Sequence, residues 1–458
     1  MTEKFENGLF IFRRDLRITD NSALNLLSLA CKNIFTVFIF TPEQVTNKNK
    51  FKSERAVQFM IESLDSLSSE IRSAGGHLYT FYGDNDKIVE QCIKAFNIDI
   101  VCFNLDITPY ALERDASIIK LCEKMETFVI YDYDYYLLEP DAVKTGAGMP
   151  YQKFTPYYNS AIKHKVPKPV KRHVRFAHSS KHLQNEITLQ TAKRRFIKDQ
   201  ESTLVYGGRK NAIKAVRSAV TTQKNYTKTH DTLSLNTSLL GAYIKFGCVS
   251  IREVYYAFHT NKSFIRQLYW RDFYAQLLYH YPHVLRHAMK PNYNKIRWHH
   301  NERWFNAWTK GLTGFPVVDA AMRQLNQTGF CHNRARLIVA SFLVKTLLIS
   351  WQKGEHYFST VLTDYDPASN NLNWQWCAST AVDSQPYFRI FNPWSQQKEH
   401  DPDCVYIKQW VPELKDLEPE IIHNWESEWS NYKSCGYLKP ICDYSEQKDL
   451  ALKMYKSV

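Results

Sequence analysis

"TDYDPASNNLNWQWCAST", Thr363 to Thr380, gathers two aspartates, several asparagine amides and two tryptophans into one short run. Asp364 and Asp366 lie two apart and would diverge on a helix, so a helix is expected to start at Pro367, a residue suited to a first turn. One aspartate is enough to cap it. Beyond Pro367, Asn370, Asn373, Trp374 and Cys377 fall on one helical face and set an amide beside an indole ring. A buried amide needs partners, so this face is expected to run into a polar pocket.

Outward from that run, strand patterns vanish after about Asn225. "FCHNRARLIVASFLVKTLLISW" (330–351) is apolar nearly all round, as the central helix of a large helical domain would be, and Arg334, Arg336 and Lys345 exclude a membrane span. The first third reads differently. "GLFIFR" (8–13), "IFTVFIF" (34–40), "HLYTFY" (77–82), "IDIVCF" (98–103) and "TFVIYD" (127–132) are short apolar runs typical of strands buried on both faces. From Ser53 to Ser73, Val57, Met60, Leu64, Leu67 and Ile71 recur at helical spacing. The fold class is therefore an α/β domain with a five-stranded parallel sheet and flanking helices, followed by a large all-α domain. "TGAGMP" (145–150) has its glycines in the wrong frame for a dinucleotide fingerprint. Between about Glu139 and Lys224 the periodicity fails and cations gather, as in "KHKVPKPVKRHVRFAHSSKH" (163–182). That run is either a solvated surface or a nucleic-acid contact. The expected domains are 1–135, a connection over 136–224, and 225–458.

The chain has 458 residues, 44% of them hydrophobic, a composition that excludes a disordered or fibrous protein. Aromatics reach 14%, which suggests stacking against planar ligands, and a formal net charge of +13 suits a partner made of phosphates. Ten scattered cysteines form no CxxC pair, so neither a metal site nor a disulfide framework is expected. "MTEKFENGLF" lacks a secretory h-region, and no 18-residue apolar segment occurs, so an intracellular protein of cytoplasm or nucleus, monomeric and off the membrane, is expected.

At this point the motifs carry a resemblance. The opening run resembles the flavin-binding core of the photolyase and cryptochrome family, in which Asp-x-Asp is followed by Asn and then Trp-x-Trp. "FIFRRDLRITDNSAL", "TSLLGAYIKFGCVS", "LYWRDFY", "TGFPVVDAAMRQL", "HNRARLIVASFLVK" and "PYFRIFNPWSQ" resemble further family signatures in order, from about residue 8 to about 440. The chain looks most like the class I cyclobutane pyrimidine dimer photolyases. The resemblance implies FAD in the helical domain, fully reduced when active, and UV-damaged DNA as the partner.

Residue by residue, the resemblance implies that Tyr226, Thr237, Ser238 and Leu239 grip the FAD phosphates, although the family's Ser-Pro is here Gly241-Ala242. Asn333 and Arg336 would lie over the flavin, where a fixed cation favours an anionic reduced ring. Asp364 and Asp366 would meet the flavin ring and ribose, and Asn370 would face the flavin N5. Arg336 is also expected to pair with Asp364. Trp374, Trp351 and Trp298 match the family's three-step electron chain, and indole oxidises readily; taken singly, each would be read as core packing. Trp270 and Trp376 resemble the walls of the lesion cavity, with Arg271 and Gln267 also on the substrate side. Gln267 stands where cyclobutane enzymes usually carry Glu.

The activity implied is light-driven repair of a flipped cyclobutane dimer by a carbon-carbon lyase. Six-four photolyases carry histidines where this chain has Asn333 and Leu337; His332 remains, with a neutral hydrogen-bonded role as its bland reading. Ala111 replaces the Glu of folate-using relatives, so a deazaflavin, another antenna chromophore or none stays open. A blue-light photoreceptor is the alternative, disfavoured by the short C-terminal tail. A single-strand-binding protein would also be basic and aromatic, but has no reason to bury Asp364, Asp366, Arg336 and Asn370 around one pocket.

Overall fold

The computed structural model describes residues 5–198 and 201–458. They form two compact units: Met1–Glu201 with Val205–Thr221 and Ser238–Pro282, and Ser202–Leu204 with Thr222–Thr237 and His283–Val458. In the first unit, β1 (Phe5–Phe12), β2 (Cys31–Phe40), β3 (Leu78–Tyr82), β4 (Ile100–Asn104) and β5 (Phe128–Asp132) pair in parallel in the order β3-β2-β1-β4-β5. All five strands expected from the sequence are present. Leu9, Ile11, Val37, Val101 and Phe103 pack on one face against Ile88, Val89, Ile118 and Cys122 from the helices Asn85–Phe96 and Pro109–Lys124. Each such side chain contributes about 1.5–3 kcal/mol by leaving water. The helix Glu54–Ser73 is capped by Ser53, which accepts from Ala56 N, and it buries all five apolar positions named from its periodicity.

The stretch read as a connection carries three helices, Phe154–Ala161, Leu189–Phe196 and Arg209–Thr222. The first two have eight residues each and the third 14, and their burial rests on long-range partners that local periodicity does not reveal. Gly207 N donates to Glu62 and Gly208 N to Ser63 Oγ, docking the third helix on Glu54–Ser73. A Cβ on Gly207 would fall 2.3 Å from Phe59 O, which is why glycine stands there. Residues 238–282, read from sequence as helical-domain residues, group with the first unit.

Buried charges tie this unit together. Arg17 meets Asp134 at 2.5 Å, Arg252 meets Asp134 at 2.7 Å and Asp20 at 3.0 Å. Burial pushes the Asp134 carboxyl up, but Arg17 and Arg252 pull it down to about 2.

The second unit holds helices and no strand among its described residues. The long apolar run resolves into the helix Asn333–Lys345, a turn in which Leu348 takes a φ of 55°, and the start of Trp351–Val361, capped by Ser350. Val339, Leu343 and Val344 are wholly buried there.

Candidate flavin and electron-transfer site

The helix Pro367–Cys377 begins where the sequence places it. Asp366 accepts from Ser369 N at 3.0 Å and Pro367 occupies the first turn. Asp364 caps nothing and pairs instead with Arg336, whose Nη2 reaches its two oxygens at 3.3 and 3.2 Å. Arg336 Nε donates to Cys331 O at 2.8 Å, which fixes the guanidinium at the start of Asn333–Lys345. Its Nη1 donates to nothing among the described residues, so the pair is held in place yet has capacity left over. Asn333 is exposed at the head of the same helix.

Asn370 Nδ2 donates to Glu355 O and to Glu355 Oε1, each at 3.1 Å. Both amide hydrogens are thereby committed, and Oδ1 remains as an acceptor. Glu355 is buried, and burial pushes its carboxyl up to about 7 against the opposing Asn370 hydrogen bond. Sequence reasoning missed Glu355; the available signal was its position four residues after Trp351, on one face of the helix Trp351–Val361. Asn373, expected on the buried face, is exposed and donates to Ser369 O, while Trp374 and Cys377 are buried. His332 caps Asn333–Lys345 by accepting from Arg334 N at 3.1 Å, and burial lowers its pKa to about 4. It is neutral at physiological pH.

The three tryptophans expected to carry electrons lie in one core that they share with seven others. Trp374 and Trp351 are each 3% exposed, and Trp298 is half-buried and packs against the same cluster. Trp374 meets Phe358 edge-on at 5.1 Å and Trp308 at 6.1 Å, and a Cβ on Gly354 would fall 2.3 Å from its ring. Trp298 stands edge-on to Tyr455 at 6.2 Å. Trp376 is half-buried and has no aromatic partner among the described residues. Tyr226 is half-buried, and burial together with Asp231 raises its phenol to about 12. Thr237 Oγ1 and, next to Asp364 in sequence, Thr363 Oγ1 are buried hydroxyls without a partner among the described residues. Orphaned hydroxyls and a fixed guanidinium in one unit suit an oxygen-rich ligand, and the donor set fits FAD.

The remaining positions lie in the first unit. Ser238 and Leu239 precede the short helix Gly241–Lys245, with Leu239 at φ 51° and no side-chain cap. On the helix Lys262–His280, Gln267 is exposed and Trp270 stacks on Phe154 at 3.6 Å and 7°. One face of that indole is therefore covered by the protein itself. Arg271 turns inward, donating to Tyr135 O with its guanidinium 4.6 Å from the Tyr136 ring. Ala111 is buried in the first turn of Pro109–Lys124 and places no carboxylate there.

A family described as the FAD binding domain of DNA photolyase matches residues 264–457, and one described as DNA photolyase matches 9–173. These matches define a flavoprotein of the photolyase class, binding FAD. A curated relative from Alkalihalophilus pseudofirmus, a deoxyribodipyrimidine photo-lyase, is 34% identical over 470 residues, 97% of each chain. The structure of an archaeal photolyase from Sulfolobus tokodaii, which contains two FAD molecules, is 40% identical and superposes with a TM-score of 0.89 over 99% of this chain and 100% of that one. A class III photolyase from Agrobacterium tumefaciens is 30% identical with a TM-score of 0.90 over 100% of this chain and 98% of that one. The chain belongs to the DNA photolyase family.

Proposed function

We propose that this protein repairs cyclobutane pyrimidine dimers in UV-damaged DNA using light. FAD, bound in its fully reduced form, supplies an electron on blue or near-ultraviolet excitation, which splits the dimer and then returns. The observation that carries this reading is the Asn370 amide, both of its hydrogens taken by Glu355 and its oxygen left to accept, together with an Arg336–Asp364 pair with capacity to spare. An acceptor oxygen fixed there favours a ligand nitrogen that carries a proton, as N5 of a reduced flavin does. Arg336 supplies the cation that offsets negative charge, Asp366 and Asp364 hold polar edges, and Tyr226, Thr237 and Asn333 add further hydrogen-bonding groups. Ser238 and Leu239 are proposed for the phosphates. Trp298, Trp351 and Trp374 pass electrons inward when the flavin must be reduced, with the half-buried indole nearest water. Trp376, Trp270, Gln267 and Arg271 are the proposed lesion contacts, the exposed Gln267 amide donating at any pH. The neutral, capping His332 supports a cyclobutane over a six-four substrate, since it holds no proton to give as a general acid.

The test is repair under blue light, with reduced protein, one oligonucleotide holding a cyclobutane thymine dimer, a parallel six-four substrate and dark controls. Light-dependent restoration of the dimer alone is expected. Restoration of neither by a protein that retains FAD would favour the photoreceptor alternative.

For the antenna, the two FAD molecules of the Sulfolobus tokodaii relative support a second flavin. In the first unit the strand order reverses between β1 and β4, the usual place for a ligand in an open parallel sheet. Arg13 Nη2, Arg114 Nη2, Asp115 Oδ2 and Tyr135 OH there are buried without hydrogen-bond partners among the described residues. A flavin-to-protein ratio near two would support this, and a ratio of one with no other chromophore would refute it. The protein is proposed to act as a monomer inside the cell. No helix among the described residues is long and apolar enough to cross a membrane.

A further inference from the structure

The basic run singled out in the sequence takes no part in the proposed repair chemistry. Between Asp141 and Glu186 the chain carries nine Lys and Arg and no acidic residue. In the structure the middle of this run is an irregular strap on the first unit, pinned at intervals by its backbone. Val170 N donates to Asp20 Oδ1 and Asp20 N donates to Val170 O, both at 2.9 Å; Tyr256 OH donates to Val166 O at 2.7 Å. Ile34 N donates to Arg175 O at 3.0 Å and Ala177 N to Ile34 O at 2.8 Å, a short bridge alongside β2. Asp20 is itself locked by Arg252 and Ser250, so the strap is moored to the buried ion network. Pro167 and Pro169 restrict the backbone between the moorings.

Val166, Val174 and Phe176 of the strap turn inward and are buried, while Val170, Lys163, Lys165, Lys168, Lys171 and Arg172 are exposed. None of these five cations has an ion pair or a side-chain hydrogen bond among the described residues. Elsewhere in the same unit arginines find carboxylates: Arg14 with Asp106, Arg55 with Glu201, Arg209 with Glu253. Lys165, Lys168 and Lys171 recur every three residues, the period that returns side chains to one side of an extended proline-rich backbone. A row of unneutralised cations costs folding stability by mutual repulsion, which salt screens and a bound polyanion relieves. The five cations have no Phe, Tyr or Trp among them, between 163 and 175, on which an unstacked base could lie as on a large aromatic platform. The ligand it suits is the phosphate backbone of a duplex.

We propose that this strap is a second, sequence-independent contact for duplex DNA, separate in its residues from the proposed lesion contacts. It rests on the DNA-repair reading only for the identity of the polyanion. The strap holds undamaged duplex electrostatically, and so raises the time spent on DNA during the search for a lesion.

The test compares the full-length protein with the variant K165A/K168A/K171A/R172A and with a charge-matched control, K50A/K120A/K415A/K448A, all exposed positions. Affinity for an undamaged duplex is measured across a salt series. The strap variant is expected to lose about three to four from the slope of log K against log salt, at about 0.9 per lost phosphate contact, and at least about tenfold in affinity at low salt. The control is expected to change far less, and repair of a saturating dimer oligonucleotide is expected to match wild type. An unchanged slope, or equal losses in strap variant and control, would overturn the proposal. So would loss of binding to phosphatidylserine vesicles with duplex binding intact, which would assign the strap to a lipid surface. A strap-dependent slope in a protein that repairs no dimer would uphold the strap and sink the repair reading instead.

Discussion

The buried Asp20 and Asp134 of the first unit and the Arg336–Asp364 pair of the flavin site are used in opposite ways. Asp134 takes Arg17 and Arg252 at 2.5 and 2.7 Å and also accepts from Ser22 N and Oγ, so both its oxygens are engaged. Asp20 likewise binds Val170 N, Ser250 and Arg252. Arg336 and Asp364 meet only at 3.2–3.3 Å, with Arg336 Nη1 idle and Asn370 Oδ1 open. A group whose hydrogen-bonding capacity is exhausted by its own fold can only hold that fold. A group positioned by one bond and left with another to make is available to a ligand.

Breaking the contrast from the structural side has the largest expected effect. Arg17→Ala takes one of two guanidinium partners from the buried Asp134, leaving its Oδ2 unpaired with Arg252 as the remaining cation, and should lower stability by about 3 kcal/mol, read as a shifted denaturation midpoint. Arg336→Ala removes a partly exposed pair, which is worth little to stability, about 0–1 kcal/mol. It should instead cut FAD content and affinity by at least about tenfold, since charge-assisted contacts to a ligand are lost. Trp374→Phe should slow photoreduction of the bound flavin by about tenfold or more while chemically reduced protein still repairs, and Trp298→Phe should do the same more weakly. Equal loss of repair by chemically reduced protein would remove the tryptophans from the electron route.

The smallest effect sharpens the comparison at a single carboxyl. Glu355 titrates near 7 in the fold against an ordinary 4.5, so between those values the folded protein keeps a proton the unfolded chain has released. Stability therefore falls as pH rises across that window. Glu355→Gln keeps the acceptor for Asn370 and should flatten part of that decline. Asp272, also raised to about 7 by burial, retains its share. A denaturation series that is unchanged from pH 4 to 8 would contradict the assignment of Glu355 as a protonated partner.

Much of this was legible in the sequence because its signals are local. Five β-rich apolar runs gave five strands, the spacing from Val57 to Ile71 gave the helix Glu54–Ser73, and Asp366-Pro367 marked a helix start. The Arg336–Asp364 pair was also foreseeable once both residues were assigned to one site. What lay hidden depends on contacts far apart in the chain. Asp20, Asp134 and Arg252 meet across more than a hundred residues, and two of the helices within 139–224, of eight residues each, are too short to announce themselves. Glu355 escaped because an acid between Lys353-Gly354 and His356 looks like a surface residue until the fold buries it.

The most direct measurement sets Arg17→Ala and Arg336→Ala side by side, recording denaturation midpoint and bound FAD for each. A crossed result is predicted: Arg17→Ala loses stability while its folded fraction retains FAD, and Arg336→Ala keeps its midpoint, measured against flavin-free wild type, while losing FAD. Parallel losses in both variants, or full FAD content in Arg336→Ala, would contradict the view that spare bonding capacity marks the flavin site.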